Sequence, residues 1–306
     1  MAGALAHLHG RQTFLSFSKS HPGSPSSPAA FRPVTVAVGQ SQSYWASIDA
    51  KIEDHLKKSI PIRPPVEVFE PMQYLTLSPP RTAASALCVA ACELVGGHRD
   101  DAVAAASAVH LMHAAAFAHE HLPLTDRARP KLAVHHQYNP NIELLTGDGI
   151  LPFGFELLAK SVDPARNNSD RVLRVIVEIT RAVGSQGTVD GQYREFLCTQ
   201  SDGDELCDAG WVEYVCEKKE GGLHACGAAC GAILGGGNEE EIERLRKYGL
   251  YVGTMQGMLH GAGRNKEGTK EAAEKLRALA LKELDIFSSR KTEPIASLVQ
   301  ANLVNA

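Results

Sequence analysis

The chain has 306 residues, 44% hydrophobic and 22% charged, and its 31 Lys and Arg against 35 Asp and Glu give a formal net charge of -4. That length allows about one or two domains with a sizeable core, and the charge balance offers no basic surface for nucleic acid. Apolar stretches such as residues 102–118 are Ala-rich and broken by His110 and His113, short of the roughly 18 consecutive apolar residues of a membrane span.

The first 43 residues stand apart. No Asp or Glu precedes Asp49, while eight serines from Ser16 to Ser43 accompany Arg11, Lys19 and Arg32. An acid-free, Ser-rich, basic start has the composition of an organellar transit peptide, and abundant Ser and Pro with only three Arg or Lys favour a plastid over a mitochondrion. A merely disordered tail has the same composition, since Pro22, Pro25, Pro28 and Pro33 oppose helix. Cleavage is expected near residues 38–46, leaving one domain over 44–306.

Beyond that segment, apolar residues recur at helical spacing. The pattern predicts a helix over 47–59, which Pro61, Pro64, Pro65 and Pro71 then interrupt. Further helices are predicted over 82–95, 101–120, 141–160, 170–183, 187–198, 209–234, 239–259, 266–287 and 295–304. The Val and Ile content of 171–180 also fits a strand. Gly96-Gly97 and Gly235-Gly236-Gly237 read as helix stops, and Asn238 followed by acidic residues opens the next helix. An all-α single domain accounts for the whole pattern.

Four of the seven cysteines form two Cys-x-x-x-Cys pairs, Cys88 with Cys92 and Cys226 with Cys230, and this spacing puts each pair on one helix face. Three readings compete. A disulfide within a helix conflicts with Cβ geometry. A Cys₄ zinc site needs all four to converge, without the usual Cys-x-x-Cys spacing. In the third, cysteines among Gly222, Ala225, Gly227, Ala228, Ala229 and Gly231 act as small apolar residues that let helices approach closely. Cys198, Cys207 and Cys216 show no chemical partner. His110, His113, His119, His121, His135 and His136 suggest either a zinc centre or structural histidines, and the lack of spaced carboxylates favours the latter.

Ordered blocks carry a resemblance. Ala91 to Gly97, Leu145-Thr146-Gly147-Asp148, Gly187, Gly191-Gln192 and Gly231 to Asn238 resemble, in order and spacing, blocks of the plant prenyl diphosphate synthases over residues 48–304. The resemblance implies an isoprenoid-synthase-type bundle of antiparallel helices around a central cavity, with Mg²⁺ held by two aspartate clusters. Here the sequence departs. The first cluster falls on His119 to Asp126, with Glu120 and His121 in place of its leading aspartates and only Asp126 matching. The second falls on Gln256, Gly257 and His260, which supply no carboxylate. Mg²⁺ prefers several anionic oxygen ligands, so catalysis is expected to be absent or residual. The diphosphate-holding residues are depleted as well: Arg81 remains in Pro79 to Ser85, Arg127 and Arg129 are shifted, Lys219 is followed by Glu220, and Gln192 begins Gln192-Tyr193-Arg194-Glu195. Arg81, Lys219 and Gln192 are the residual substrate-binding candidates.

Two Cys pairs beside eroded aspartate motifs resemble the small subunits of plant heterodimeric geranylgeranyl diphosphate synthases. That branch implies that Cys88, Cys92, Cys226 and Cys230 serve in binding a catalytic large subunit, which carries the Mg²⁺. It further implies a heterodimer or higher assembly in the plastid, in the stroma or at the thylakoid, and links to downstream isoprenoid enzymes. Two function classes follow: a non-catalytic regulatory partner, or an active Mg²⁺-dependent prenyltransferase making geranyl or geranylgeranyl diphosphate with Glu120, Asp126 and Asp148.

Overall fold

The computed structural model describes residues 34–123, 136–200, 209–261 and 268–304. Every described element is helical. The sharpest local constraint lies between α3 (Ala83–Leu94), rich in Ala and Cys, and α9 (Gly222–Gly235), rich in Ala, Gly and Cys. A Cβ added to Gly227 would lie 2.2 Å from the carbonyl oxygen of Ala84, and one on Gly231 would lie 1.9 Å from that of Cys88. One on Gly235 would lie 2.7 Å from that of Cys92. The repeat of four on each helix therefore brings backbone against backbone, closer than helices with large side chains approach.

Other elements assemble around that pair. α4 (Arg99–His121) packs on both α3 and α9, and α10 (Glu239–His260) packs along α9. α5 (Pro140–Lys160) covers α4, and α6 (Ser169–Val183) lies against α9. α11 (Thr269–Glu283) and α12 (Glu293–Val304) close the α10 side. The Tyr248 hydroxyl, fully buried, donates to the Ile295 carbonyl at 2.6 Å and ties α10 to α12. α4 is long and apolar enough to cross a bilayer, contrary to the expectation that no segment is, yet 72% of its apolar window is buried inside the bundle. It is a core helix.

Local signals explain the boundaries. His98 and Asp101 form a capping box at the start of α4, as do Asn238 and Glu241 at the start of α10. Gly236, at φ 83°, terminates α9 in a left-handed conformation that costs glycine nothing. The segment over 171–180 is helix, because Val172, Val175 and Ile179 fall on one buried face.

Three expectations change. α1 (Val34–Ser59) starts upstream of the predicted helix, and its early packed side chains are Ser41 bonded to Ser297, Tyr44 on Glu93 at 2.6 Å and Trp45 on Ser297 at 3.1 Å. The proline-rich stretch does not stay irregular: α2 (Val66–Leu77) forms across Pro71, which forfeits one backbone bond while Met72 and Leu75 are buried. The single helix predicted over 209–234 is α8 (Ala209–Cys216), a π-helical turn (Glu217–Gly221) and α9. α7 (Thr188–Gln200) precedes it.

The described histidines on the sequence list are satisfied structurally. His110 meets the Thr76 carbonyl at 2.8 Å and His113 the Pro80 carbonyl at 3.0 Å. His119 lies 3.3 Å from Asp148, His121 meets the Phe117 carbonyl at 2.8 Å, and His136 meets Glu143 at 2.7 Å. His135 lies outside the described residues. A further histidine, His224 on α9, is fully enclosed and bonds the Glu220 carbonyl at 2.7 Å. Burial pushes both His113 and His224 down to about 4.

Two predictions follow from this packing. Gly231→Ala should cost about 2–3 kcal/mol and lower Tm by roughly 5–10 °C, whereas Gly149→Ala, whose new Cβ meets nothing within 4 Å, should be neutral or slightly stabilising. Thermal melts of the two variants compare them directly. From the ordinary 6.5 down to about 4, the unfolded chain takes up protons that folded His113 and His224 refuse, so stability complete above 6.5 falls on acidification. At pH 5 His224 alone should cost ~2 kcal/mol, and His224→Asn should flatten the dependence of Tm on pH.

Candidate functional site

Glu120, Glu195, Lys219, Glu220 and Gly257 come together where the last turn of α4, the middle of α7, the π-helical turn and the end of α10 meet. A π turn alters which side chains face inward, and here its seat is made by glycines on its neighbours. A Cβ on Gly253 would lie 2.4 Å from the Glu220 carbonyl oxygen, and one on Gly257 2.8 Å from Glu220 Oε2. On α7, a Cβ at Gly191 would lie 2.7 Å from Cγ of Lys219. Gly257, read as a lost metal position, is thus the place where Glu220 packs.

Lys219 reaches inward from this turn. Its Nζ donates to Glu120 Oε1 at 2.7 Å and to Glu195 Oε2 at 2.9 Å, and the three side chains are only 11%, 17% and 17% exposed. One ammonium between two carboxylates gives these three described groups a formal charge of -1 at this end of the bundle, its mouth. Lys218 faces outward instead, donating to the Gln186 carbonyl at 3.1 Å and lying 5.4 Å from the Tyr214 ring. Removing Lys219 would leave two like charges nearly buried, a loss on the order of 3–5 kcal/mol.

The other candidates do not converge on Lys219. Arg81 pairs with Glu53 and lies 3.8 Å from Asp49, lining a separate cavity of about 180 Å³ with Ser85 and His110. Its side chain is 55% exposed, so these pairs contribute about 0–1 kcal/mol. Burial raises the Asp49 carboxyl despite Arg81. Gln192 has a buried amide nitrogen with no hydrogen-bond partner among the described residues. Gln256 lies beside His224, and His260 is exposed at the end of α10. His121 stacks on Phe117 with ring centroids 4.0 Å apart. Asp148 stands with His119 on α4 and α5. Asp126, Arg127 and Arg129 lie outside the described residues.

The described donor set does not fit a Mg²⁺ cluster. Glu120 already receives an ammonium, α10 offers an amide, a glycine and an imidazole, and among the described residues no three His, Cys, Asp or Glu side chains could share an ion.

The four paired cysteines are interior. Cys88, Cys92 and Cys230 are fully buried and Cys226 nearly so, all as free thiols. Cys226 and Cys230 have sulfurs 3.8 Å apart, Cys230 Sγ faces the Val175 carbonyl of α6 at 4.0 Å, and Cys88 Sγ faces the Ala102 carbonyl of α4 at 4.0 Å. Burial raises the Cys88 thiol and pushes Cys92 up to about 12, while the bond to Cys226 and burial raise Cys230. Such thiols stay protonated and unreactive. Their geometry is that of small packing residues at the α3–α9 contact. Cys226 also borders a cleft of about 490 Å³ between α6, the π turn and α10. Cys198, expected without a partner, is disulfide-bonded.

Two features escape sequence reasoning. Glu195 and Glu120 are 24 and 99 residues from Lys219, so no local pattern announces the pairing. Ile142, Leu144 and Leu145 on α5 and Leu173 and Val177 on α6 are exposed, with Leu145 at 69% and Leu173 at 62%. The uneven apolar pattern of α6, with Leu173 and Val177 off its buried face, was the available signal.

Comparison with known proteins agrees with this architecture. The Polyprenyl synthetase family matches residues 65–256. The chain is 57% identical over 260 residues to the chloroplastic heterodimeric geranylgeranyl pyrophosphate synthase small subunit 2 of Cannabis sativa, covering 84% of this chain and 90% of that one. Among solved structures it is similar to the geranyl diphosphate synthase small subunit of Antirrhinum majus, with TM-score 0.78, 58% identity and coverage of 85% and 98%. It is also similar to a chain of a mint heterotetrameric geranyl pyrophosphate synthase deletion mutant, with TM-score 0.76, 54% identity and coverage of 84% and 99%. With the helical bundle, the matched segment and relatives above half identity in agreement, the chain belongs to the polyprenyl synthetase family.

Proposed function

We propose that this chain is the non-catalytic small subunit of a plastid heterodimeric geranylgeranyl diphosphate synthase, which binds a catalytic large subunit, raises its activity and alters its output of geranyl and geranylgeranyl diphosphate. The observation that carries this reading is the mouth of the bundle, where Lys219 is held between Glu120 and Glu195. Ionising an allylic diphosphate builds negative charge on the leaving group, and catalysis needs cations free to meet it. The described groups at this mouth are one captured ammonium and two carboxylates, with no described carboxylate cluster for Mg²⁺, so on this reading the metal and the chemistry belong to the partner.

A partner-binding role is supported by the apolar residues left outside. α5 and α6 touch, and Ile142, Leu144, Leu145, Leu173 and Val177 expose apolar surface on both, the property that marks interaction faces. The Cys226–Cys230 pair sits behind α6, not on it. Through Cys230 against Val175 it bears on how α6 rests on α9, and so acts on the partner face by position, while Cys88 packs against α4. Plastid placement, in the stroma or at the thylakoid, is supported by the acid-free first 43 residues and by the chloroplastic relative. Coupling to downstream isoprenoid enzymes fits the same location.

Assays of the purified chain, of a large subunit and of the mixture, with isopentenyl and allylic diphosphates plus Mg²⁺, test the role. No turnover by this chain alone and increased or redirected turnover by the mixture are expected; turnover by this chain alone would refute it. Leu145→Asp with Leu173→Asp should weaken co-purification with the large subunit by about tenfold or more at unchanged Tm. Cys226→Ser with Cys230→Ser should weaken it less, through displaced α6; unaltered co-purification of both variants would remove the proposed face.

A further inference from the structure

The three charged side chains at the mouth come from separate elements: Glu120 from the last turn of α4, Glu195 from α7 and Lys219 from the π turn. Their meeting is built into the backbone. Gly191 leaves space for the stem of Lys219, and Gly253 and Gly257 let the π turn settle against α10. The neighbouring Lys218 is turned outward to Gln186 and Tyr214, so the π turn separates two adjacent lysines into one inward and one outward cation. An anion approaching Lys219 would meet two carboxylates already in place, whose combined charge exceeds that of the ammonium. Because the three groups are largely withdrawn from water, solvent screens this arrangement far less than it screens the exposed Arg81 pairs.

We propose that Glu120 and Glu195 form an internal lock on Lys219, occupying it as an external anion would and closing the mouth to phosphate-bearing molecules. The lock rests on the non-catalytic reading above and gives it a physical cause beyond missing metal ligands. It also joins α4, α7 and the π turn through side chains of this chain.

Calorimetric titration of the full chain with sodium pyrophosphate, without added metal, tests the lock. Glu120→Gln with Glu195→Gln removes both charges at nearly constant volume. The wild-type chain should give no saturable binding, the double variant should bind at least about tenfold more tightly than wild type, and adding Lys219→Met should abolish the gain. Pyrophosphate binding to wild type as tight as to the double variant overturns the proposal, as does a cooperatively melting double variant that shows no gain. A second measurement uses the wild-type chain alone. Lys219 Nζ is enclosed between Glu120 and Glu195 whereas Lys218 is turned outward, so acetic anhydride should label Lys219 about tenfold more slowly than Lys218, read by mass spectrometry. Equal labelling rates overturn the lock. Neither measurement involves the large subunit, so each outcome is independent of whether partner binding holds.

Discussion

Backbone contact between α3 and α9 sets the geometry on which the remaining structure depends. With Gly227, Gly231 and Gly235 facing the carbonyls of Ala84, Cys88 and Cys92, the two helices have no side-chain layer to adjust between them. Close-packed interiors transmit such constraints because there is little free volume to absorb a shift. α4 and α10 pack on this pair, and they deliver Glu120 and the glycine seat of the π turn to the mouth. The charged mouth is therefore a consequence of a rigid apolar centre, though the two share no residue.

At the mouth, magnitude separates features that look alike in sequence. Arg81 and Lys219 both read as surviving cations, and both are ion-paired. Arg81 is more than half exposed, and water competes with its carboxylates. Lys219 is nearly enclosed, so its pairing decides what the mouth accepts. Loss of Mg²⁺ ligands and capture of the inward Lys219 are distinct changes, and the second would oppose diphosphate even if a metal ion were supplied.

Much of the fold was legible because helical periodicity, capping boxes and glycine stops are local signals. The strand alternative over 171–180 fell to the spacing of Val172, Val175 and Ile179, a pattern already present in the chain. The all-α bundle implied by resemblance is the fold observed. What the sequence hid had non-local causes. α2 forms through Pro71 because tertiary burial of Met72 and Leu75 outweighs one lost bond. The break between α8 and α9 follows from glycines on α10, far along the chain, that seat the π turn. Lys219 could be named as a residual cation, but its two carboxylate partners emerge only after α4 and α7 are brought together.

The cysteines show how a motif can matter to a surface without lying on it. Small size at positions 88, 92, 226 and 230 is what the α3–α9 approach requires, and sulfur fills the remaining space better than a hydroxyl, which would need a hydrogen-bond partner once buried. Cys230 meets the carbonyl of Val175, and α6 turns Leu173 and Val177 outward from the same few turns. A change in the volume or polarity of Cys230 would move the floor on which that outward face rests. Direct thiol contact with a partner would instead require the buried sulfurs to leave the interior, forfeiting the close packing that fixes α3 against α9.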